Sequence, residues 1–218
     1  TPWGLTRPDY GRKEVRQFIR DNALMWLDEY HVDGLRFDMT LYIHNVRASD
    51  DPNGDLPDGW SLVQWINRDV QQRYPGRITI AEDLQNDNRI TKPVDQAGGG
   101  FTAQWDARFV HPVRAAVIAP NDEQRSLDSI RGLLESNFNG DPFQRVIYSE
   151  SHDEVANGQA RVPSEIDTKD SDNWFAQKRS TLAAALAFTA PGIPMLFQGQ
   201  EFLEDGWFQD SVPLDWHK

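Results

Sequence analysis

Four short apolar runs in this 218-residue chain each end in a cluster of charged or hydrogen-bonding side chains. Arg36 and Asp38 close the first, Glu82 and Asp83 the second, His152 and Asp153 the third, and Gln200 and Glu201 the fourth. Two carboxyl groups gathered at one place suit the cleavage of a glycosidic bond. One attacks the anomeric carbon, and the other, kept protonated by its surroundings, gives a proton to the leaving oxygen. Such an acid needs an enclosed site that raises its pKa. A third carboxylate can orient sugar hydroxyls. Arg36 and Asp38 are two residues apart, so an extended strand points them to the same side, where the guanidinium favours the ionised carboxylate. Trp60, Trp105, Trp207 and Phe208 read as loop-placed rings that could stack on sugar faces, whereas Trp26, Trp65 and Trp174 fall at helical spacing and are expected in the core. Taken singly, each of these polar residues fits a turn former, a helix cap or an ion-pair partner. Four successive strand ends carrying such clusters fit a site better.

Other chemistries find less support. Asp and Glu at strand ends also bind Mg²⁺ or Ca²⁺, so a metal-dependent hydrolase is a competing reading. The five histidines show no paired spacing of the kind transition metals use, and no Gly-x-Ser-x-Gly elbow offers a serine nucleophile. Residues 98–100 are a glycine run without the Lys-Ser/Thr ending of a phosphate loop. With 34 acidic against 22 basic residues the formal charge is −12, and no concentrated basic stretch offsets it, so nucleic acid is not an expected partner. Cysteine is absent, which excludes disulfides and thiolate zinc sites. No apolar run approaches the roughly 20 residues of a membrane span, so no membrane partner is expected. The chain begins at Thr1 without a basic–apolar leader, and the cytoplasm is the default expectation for its compartment.

The elements that would position these residues alternate in type. Residues 14–30 carry Val15, Phe18, Ile19, Trp26, Leu27 and Tyr30 at helical spacing, predicting one buried stripe. Strands are expected at residues 35–38, 77–81, 146–149 and 195–197, with a shorter one at 101–105. Helices are expected at 62–74, 109–118, 126–134 and 173–189, and polar loops at 49–59 and 159–172. Strands alternating with helices predict an α/β fold with a parallel sheet, in which all carboxyl ends lie on one face and the site is built there. Four or five β–α units fall short of a closed eight-stranded barrel, which takes about 250 residues. The chain reads as part of one, with no domain boundary visible from residue 1 to 218.

These clusters resemble the conserved segments of the α-amylase superfamily of glycoside hydrolases. Asp33-Gly34-Leu35-Arg36-Phe37-Asp38 is similar to its nucleophile strand, Ala81-Glu82 to its general-acid segment, and Ser151-His152-Asp153-Glu154-Val155 to its third catalytic segment. They come in the family's order, 44 residues from Asp38 to Glu82 and 71 from Glu82 to Asp153. The resemblance runs through nearly the whole chain and implies a partial (β/α)8 TIM barrel, about the fourth to eighth units, forming a fragment of a single catalytic domain. It implies Asp38 as nucleophile, Glu82 as acid/base and Asp153 as transition-state stabiliser, with Arg36, His152, Trp105 and Glu201 binding or orienting substrate.

Within the superfamily, residues 10–34 and the tail Phe197-Gln198-Gly199-Gln200-Glu201-Phe202 with Pro213-Leu214-Asp215-Trp216 are similar to glucan branching enzymes. The implied activity is that of a retaining α-glucan glycosidase or transglycosylase, leaning to 1,4-α-glucan branching, on an oligo- or polysaccharide. Hydrolysis of the α-amylase or trehalohydrolase type, or a non-catalytic carbohydrate-binding barrel, is the alternative. No cofactor is implied, and calcium enters by analogy with amylases alone. Two departures stand out. The first catalytic segment would precede Thr1, and Met39 follows Asp38 where the family often has a small residue. A partial barrel would expose strand edges and unpaired inner layers, so the isolated chain is expected to be poorly stable and nearly inactive. Oligomeric state is left open by the sequence.

Overall fold

The computed structural model describes residues 4 and 6–218; Thr1, where the leader and compartment expectations start, lies outside them. The chain divides into two compact units, residues 1–105 with 138–145, and residues 106–137 with 146–218.

The first unit holds α1 (Lys13–Asp28), β1 (Gly34–Phe37), α2 (Thr40–His44), α3 (Pro57–Arg73), β2 (Ile78–Ala81) and β3 (Ala103–Trp105). The three strands run parallel in chain order, with β1 on β2 and β2 on β3. The β2 run Ile-Thr-Ile-Ala favours extended backbone through its β-branched residues. The stripe of α1 buries Leu24 and Leu27 against Leu62, Ile66 and Val70 of α3. A second cluster, Val63, Ala81, Ile90 and Phe101, backs the sheet.

The second unit holds α4 (Ala107–Ile118), α5 (Leu127–Glu135), the last two residues of β4 (Arg145–Ile147), α6 (Val162–Ile166), α7 (Trp174–Thr189) and β5 (Ile193–Pro194). β4 and β5 pair parallel. Phe109, Val113 and Val117 of α4 meet Leu133, Ile147, Val162, Ala183 and Ala187 in one core. Helix α7 starts at an Asn173 cap, whose Oδ1 accepts the Ala176 N–H at 3.0 Å. It buries Ala176, Ser180, Ala183 and Ala187, a face of small side chains at spacings of four, three and four.

Several expectations need correction. Phe18 and Trp26 are exposed on α1, because the helix faces α3 through Leu24 and Leu27 instead, and Tyr30 is exposed beyond the helix end. Trp174 is exposed for a like reason: the alanine face of α7 packs inward, which turns Trp174, Phe175 and Leu182 out. Trp60 and Trp105 are not in loops but within α3 and β3. The strand expected at 195–197 forms two residues earlier, although the Met195 N–H still donates to the Ile147 carbonyl at 2.9 Å. The expected polar loops hold a 3-10 turn at Pro52–Gly54 and helix α6, and α3 begins five residues early at Pro57, whose missing N–H costs nothing in a first turn. Among the described residues no helix is long and apolar enough to cross a membrane.

Candidate active site

In the first unit the register of β1 on β2 pairs Phe37 with Ala81. The next residue on each strand is therefore Asp38 on one and Glu82 on the other, side by side at the carboxyl ends of adjacent strands. Arg36 joins them. Its Nη1 lies 2.5 Å from Asp38 Oδ1 and its Nη2 lies 2.6 Å from Glu82 Oε2, so one planar fork spans both carboxylates. The guanidinium lies over the Trp105 ring, 4.6 Å from its centroid, and Trp105 is only 6% exposed on β3. Trp105 thus acts on Arg36 from beneath rather than presenting a free face to a ligand.

The two carboxyls differ in surroundings. The Asp38 side chain is 71% exposed and that of Glu82 2%. Unlike environments for two neighbouring carboxyls are how one fold separates a nucleophile from an acid. The turn after β1 aims a further donor at Glu82: Met39 adopts φ 43°, ψ 48°, and its N–H meets Glu82 Oε2 at 2.8 Å. A left-handed conformation at an unbranched, non-glycine residue is strained, and strain of this kind concentrates at functional sites. Thr40 then fixes the Glu82 backbone, donating from N (2.9 Å) and Oγ1 (2.8 Å) to its carbonyl. Behind the turn, His44 Nε2 and Asp83 Oδ2 are 2.7 Å apart and fully buried, with the Trp60 ring edge-on to the imidazole.

In the second unit His152 and Asp153 sit on a partly exposed turn after β4, with His152 Nε2 3.3 Å from Asp153 Oδ2. Ser151 shapes the turn by accepting the Val155 N–H on its carbonyl (3.2 Å) and the Glu154 N–H on Oγ (3.2 Å). Beneath it Glu150 is buried, accepting the Val162 N–H at 2.6 Å, with Arg161 Nη1 3.5 Å away. Burial pushes the Glu150 carboxyl above the usual carboxylate range, against the opposing pull of that N–H and of Arg161 and Arg114. Glu201 is exposed on a short 3-10 turn, and Gln200 beside it donates from Nε2 to Ser149 Oγ at 2.7 Å.

Of the expected site residues, Arg36, Asp38, Glu82 and Trp105 are thus brought together in one unit, and His152, Asp153 and Glu201 belong to the other. The sequence reading missed the donors of Met39 and Thr40, the His44–Asp83 pair and the Glu150–Arg161 pair. For Asp83 and Glu150 a signal existed, since each is a carboxylate directly beside a motif residue at the end of an apolar strand. Among the described residues no three His, Asp or Glu side chains are gathered so as to hold a metal ion.

Residues 5–213 match the family described as "Alpha amylase, catalytic domain". The chain belongs to the α-amylase family. Among curated relatives within it, the 1,4-alpha-glucan branching enzyme GlgB of Kitasatospora aureofaciens is 35% identical over 228 residues, covering 98% of this chain and 28% of the relative. The enzyme of the same name from Photobacterium profundum is 32% identical, covering 96% of this chain and 30% of that one. The chain thus spans about three-tenths of the length of these relatives. Among solved structures, the acarbose complex of an α-amylase from Geobacillus thermoleovorans superposes with a TM-score of 0.66 at 22% identity, over 92% of this chain and 39% of that one. The maltotetraose complex of a pullulanase from Anoxybacillus gives 0.64 at 23%, over 90% of this chain and 28% of that one. The fold is accordingly a partial α-amylase (β/α)8 barrel, an α/β architecture of parallel strands and covering helices.

Proposed function

We propose that the chain carries the catalytic carboxylates of a retaining α-glucan-active enzyme, and that the reaction is 1,4-α-glucan branching. One observation carries the chemistry: a single guanidinium, that of Arg36, holds Asp38 and Glu82 together at the ends of adjacent parallel strands. A retaining glycosidase needs its two carboxyls about 5–5.5 Å apart, a separation that one bridging fork suits. The curated relatives at 30–35% identity, named as branching enzymes, support the choice of reaction.

In this reading the Asp38 carboxylate attacks the anomeric carbon of an α-1,4-linked chain. The bond to the glycosidic oxygen breaks as Glu82 gives that oxygen its proton. A glycosyl-enzyme ester on Asp38 remains. Glu82, now a carboxylate, takes the proton from the 6-hydroxyl of a second glucan, whose oxygen displaces Asp38 and forms the α-1,6 link. By the family resemblance His152 and Asp153 orient substrate hydroxyls and Glu201 binds substrate, while Trp105 contributes by holding Arg36. Displacement and proton transfer between carboxyls and hydroxyls require neither metal nor cofactor. The whole chain is then a fragment of one catalytic barrel domain, from about its fourth to its eighth unit.

The test supplies amylose to the intact protein and counts new α-1,6 linkages and new reducing ends by proton NMR. Branching gives 1,6 linkages with few reducing ends. Reducing ends without 1,6 linkages would replace branching by hydrolysis. Asp38→Asn is expected to abolish trapping of a glycosyl-enzyme by a mechanism-based sugar fluoride, and labelling that persists in this variant would remove Asp38 as nucleophile.

A further inference from the structure

We infer that the recess beside Trp207 in the second unit is a separate sugar position, which takes one pyranose ring of an α-glucan chain against the indole. The inference rests on the α-glucan reading proposed above and adds to it a sugar position built within the second unit.

Trp207 is 56% exposed, although an indole is among the largest apolar surfaces a chain can bury. It is also held firmly. The residue before it is fixed at both ends: the Gly206 carbonyl accepts the Arg161 N–H at 2.7 Å, and the Gly206 N–H donates to Ser164 Oγ at 2.8 Å. The residue after it is fixed too, since the Phe208 N–H donates to the Val155 carbonyl at 2.6 Å and its ring packs edge-on against Phe197. An exposed ring on such a braced backbone binds a ligand with little ordering cost.

The indole borders a recess of about 350 Å³ whose other walls are Gly158, Gln159, Ala160 and Glu165. That volume lies at the small end of the range for small-molecule sites, about 300–1,000 Å³. Glu165 is anchored by accepting the Ala160 N–H on Oε1 at 2.8 Å. Gly158, at φ +93°, has nothing within 4 Å of where a Cβ would stand. A pyranose matches this arrangement, offering a C–H face to the indole and a rim of hydroxyls to a carboxylate and an amide. Position strengthens the match. The segment that begins with His152 and Asp153 ends in Gly158, Gln159 and Ala160, and Val155 between them is the residue bonded to Phe208.

The experiment titrates maltoheptaose into the intact protein carrying Asp38→Asn, so that the ligand is not consumed. Adding Trp207→Ala is expected to weaken binding about tenfold, the loss of one well-placed aromatic contact, while Trp207→Phe stays within about threefold. A second readout needs no change at Trp207: maltoheptaose should slow oxidation of Trp207 by N-bromosuccinimide, followed by peptide mass spectrometry. Unchanged affinity in Trp207→Ala together with unprotected Trp207 would overturn the inference and leave the glucan reading standing. Protection of Trp207 by an apolar probe such as bis-ANS but not by maltoheptaose would overturn it in favour of a protein partner. Absence of any maltoheptaose binding would remove both.

Discussion

Arg36 carries more of the site than its charge suggests. Its two terminal nitrogens meet two different carboxylates, and its flat face lies on Trp105. An ammonium could neutralise one carboxylate but could neither span both nor stack as a plane. Arg36→Lys is therefore expected to lower kcat/KM about a hundredfold, the equivalent of one or two charge-assisted hydrogen bonds, with the loss falling mainly on kcat because the fork sets the geometry of the reacting groups. Steady-state kinetics on amylose would check this, and a loss confined to KM would show Arg36 to be a substrate contact only. The residue types at this site could be read from the sequence: Arg36, Asp38 and Glu82 stand at strand ends, and period-two geometry put the first two on one side. Met39 could not be read in the same way. Its contribution is a backbone N–H, and no side-chain pattern announces which peptide will turn left-handed to reach Glu82.

The elements that hold the site depend on close approaches, and these were the hardest features to foresee. Helix α2 is five residues long and follows a strained turn, too short for any periodicity to reveal. It lies so close to α3 that a Cβ on Gly59 would stand 1.9 Å from the Ile43 carbonyl oxygen. Neither partner is a flexible side-chain tip, so Gly59→Ala must push one helix off the other. A loss of about 2–3 kcal/mol is expected, as for overpacking in a tight core. Gly132, in the interior of α5, has nothing within 4 Å of its Cβ position. There the same substitution removes only the entropy that glycine loses on folding, and Gly132→Ala should stabilise by about 0.5–1 kcal/mol. Urea midpoints of the two variants would test the pair, and shifts of the same sign would refute the packing argument. The contrast shows what a sequence withholds. Alternating strands and helices were evident from apolar runs and 3.6-residue spacing, whereas the outward turn of Phe18, Trp26 and Trp174 depends on which neighbour each helix meets.

At the scale of the molecule two tendencies oppose each other. The surface carries several large apolar side chains, Phe18, Trp174, Phe175, Leu182 and Phe188 among them, which favour association by burial. The net charge of −12 opposes it through repulsion between like molecules. Repulsion depends on solution conditions and apolar attraction much less so, which allows the two to be separated. At neutral pH and low salt the chain should remain dispersed. Salt at about 0.1 M shortens the screening length to about 10 Å, so attraction should begin to show there. Near the isoelectric point of about 4.8 the charge is gone and association should be strongest. Static light scattering across salt and pH would follow the balance. Replacing Trp174 and Phe175 with Ser should reduce scattering near the isoelectric point while leaving the low-salt, neutral value unchanged, because those rings contribute attraction and no charge. If the double variant scattered as strongly as the parent near pH 4.8, association would have to arise elsewhere, and the exposed strand edges of a partial barrel would become its source.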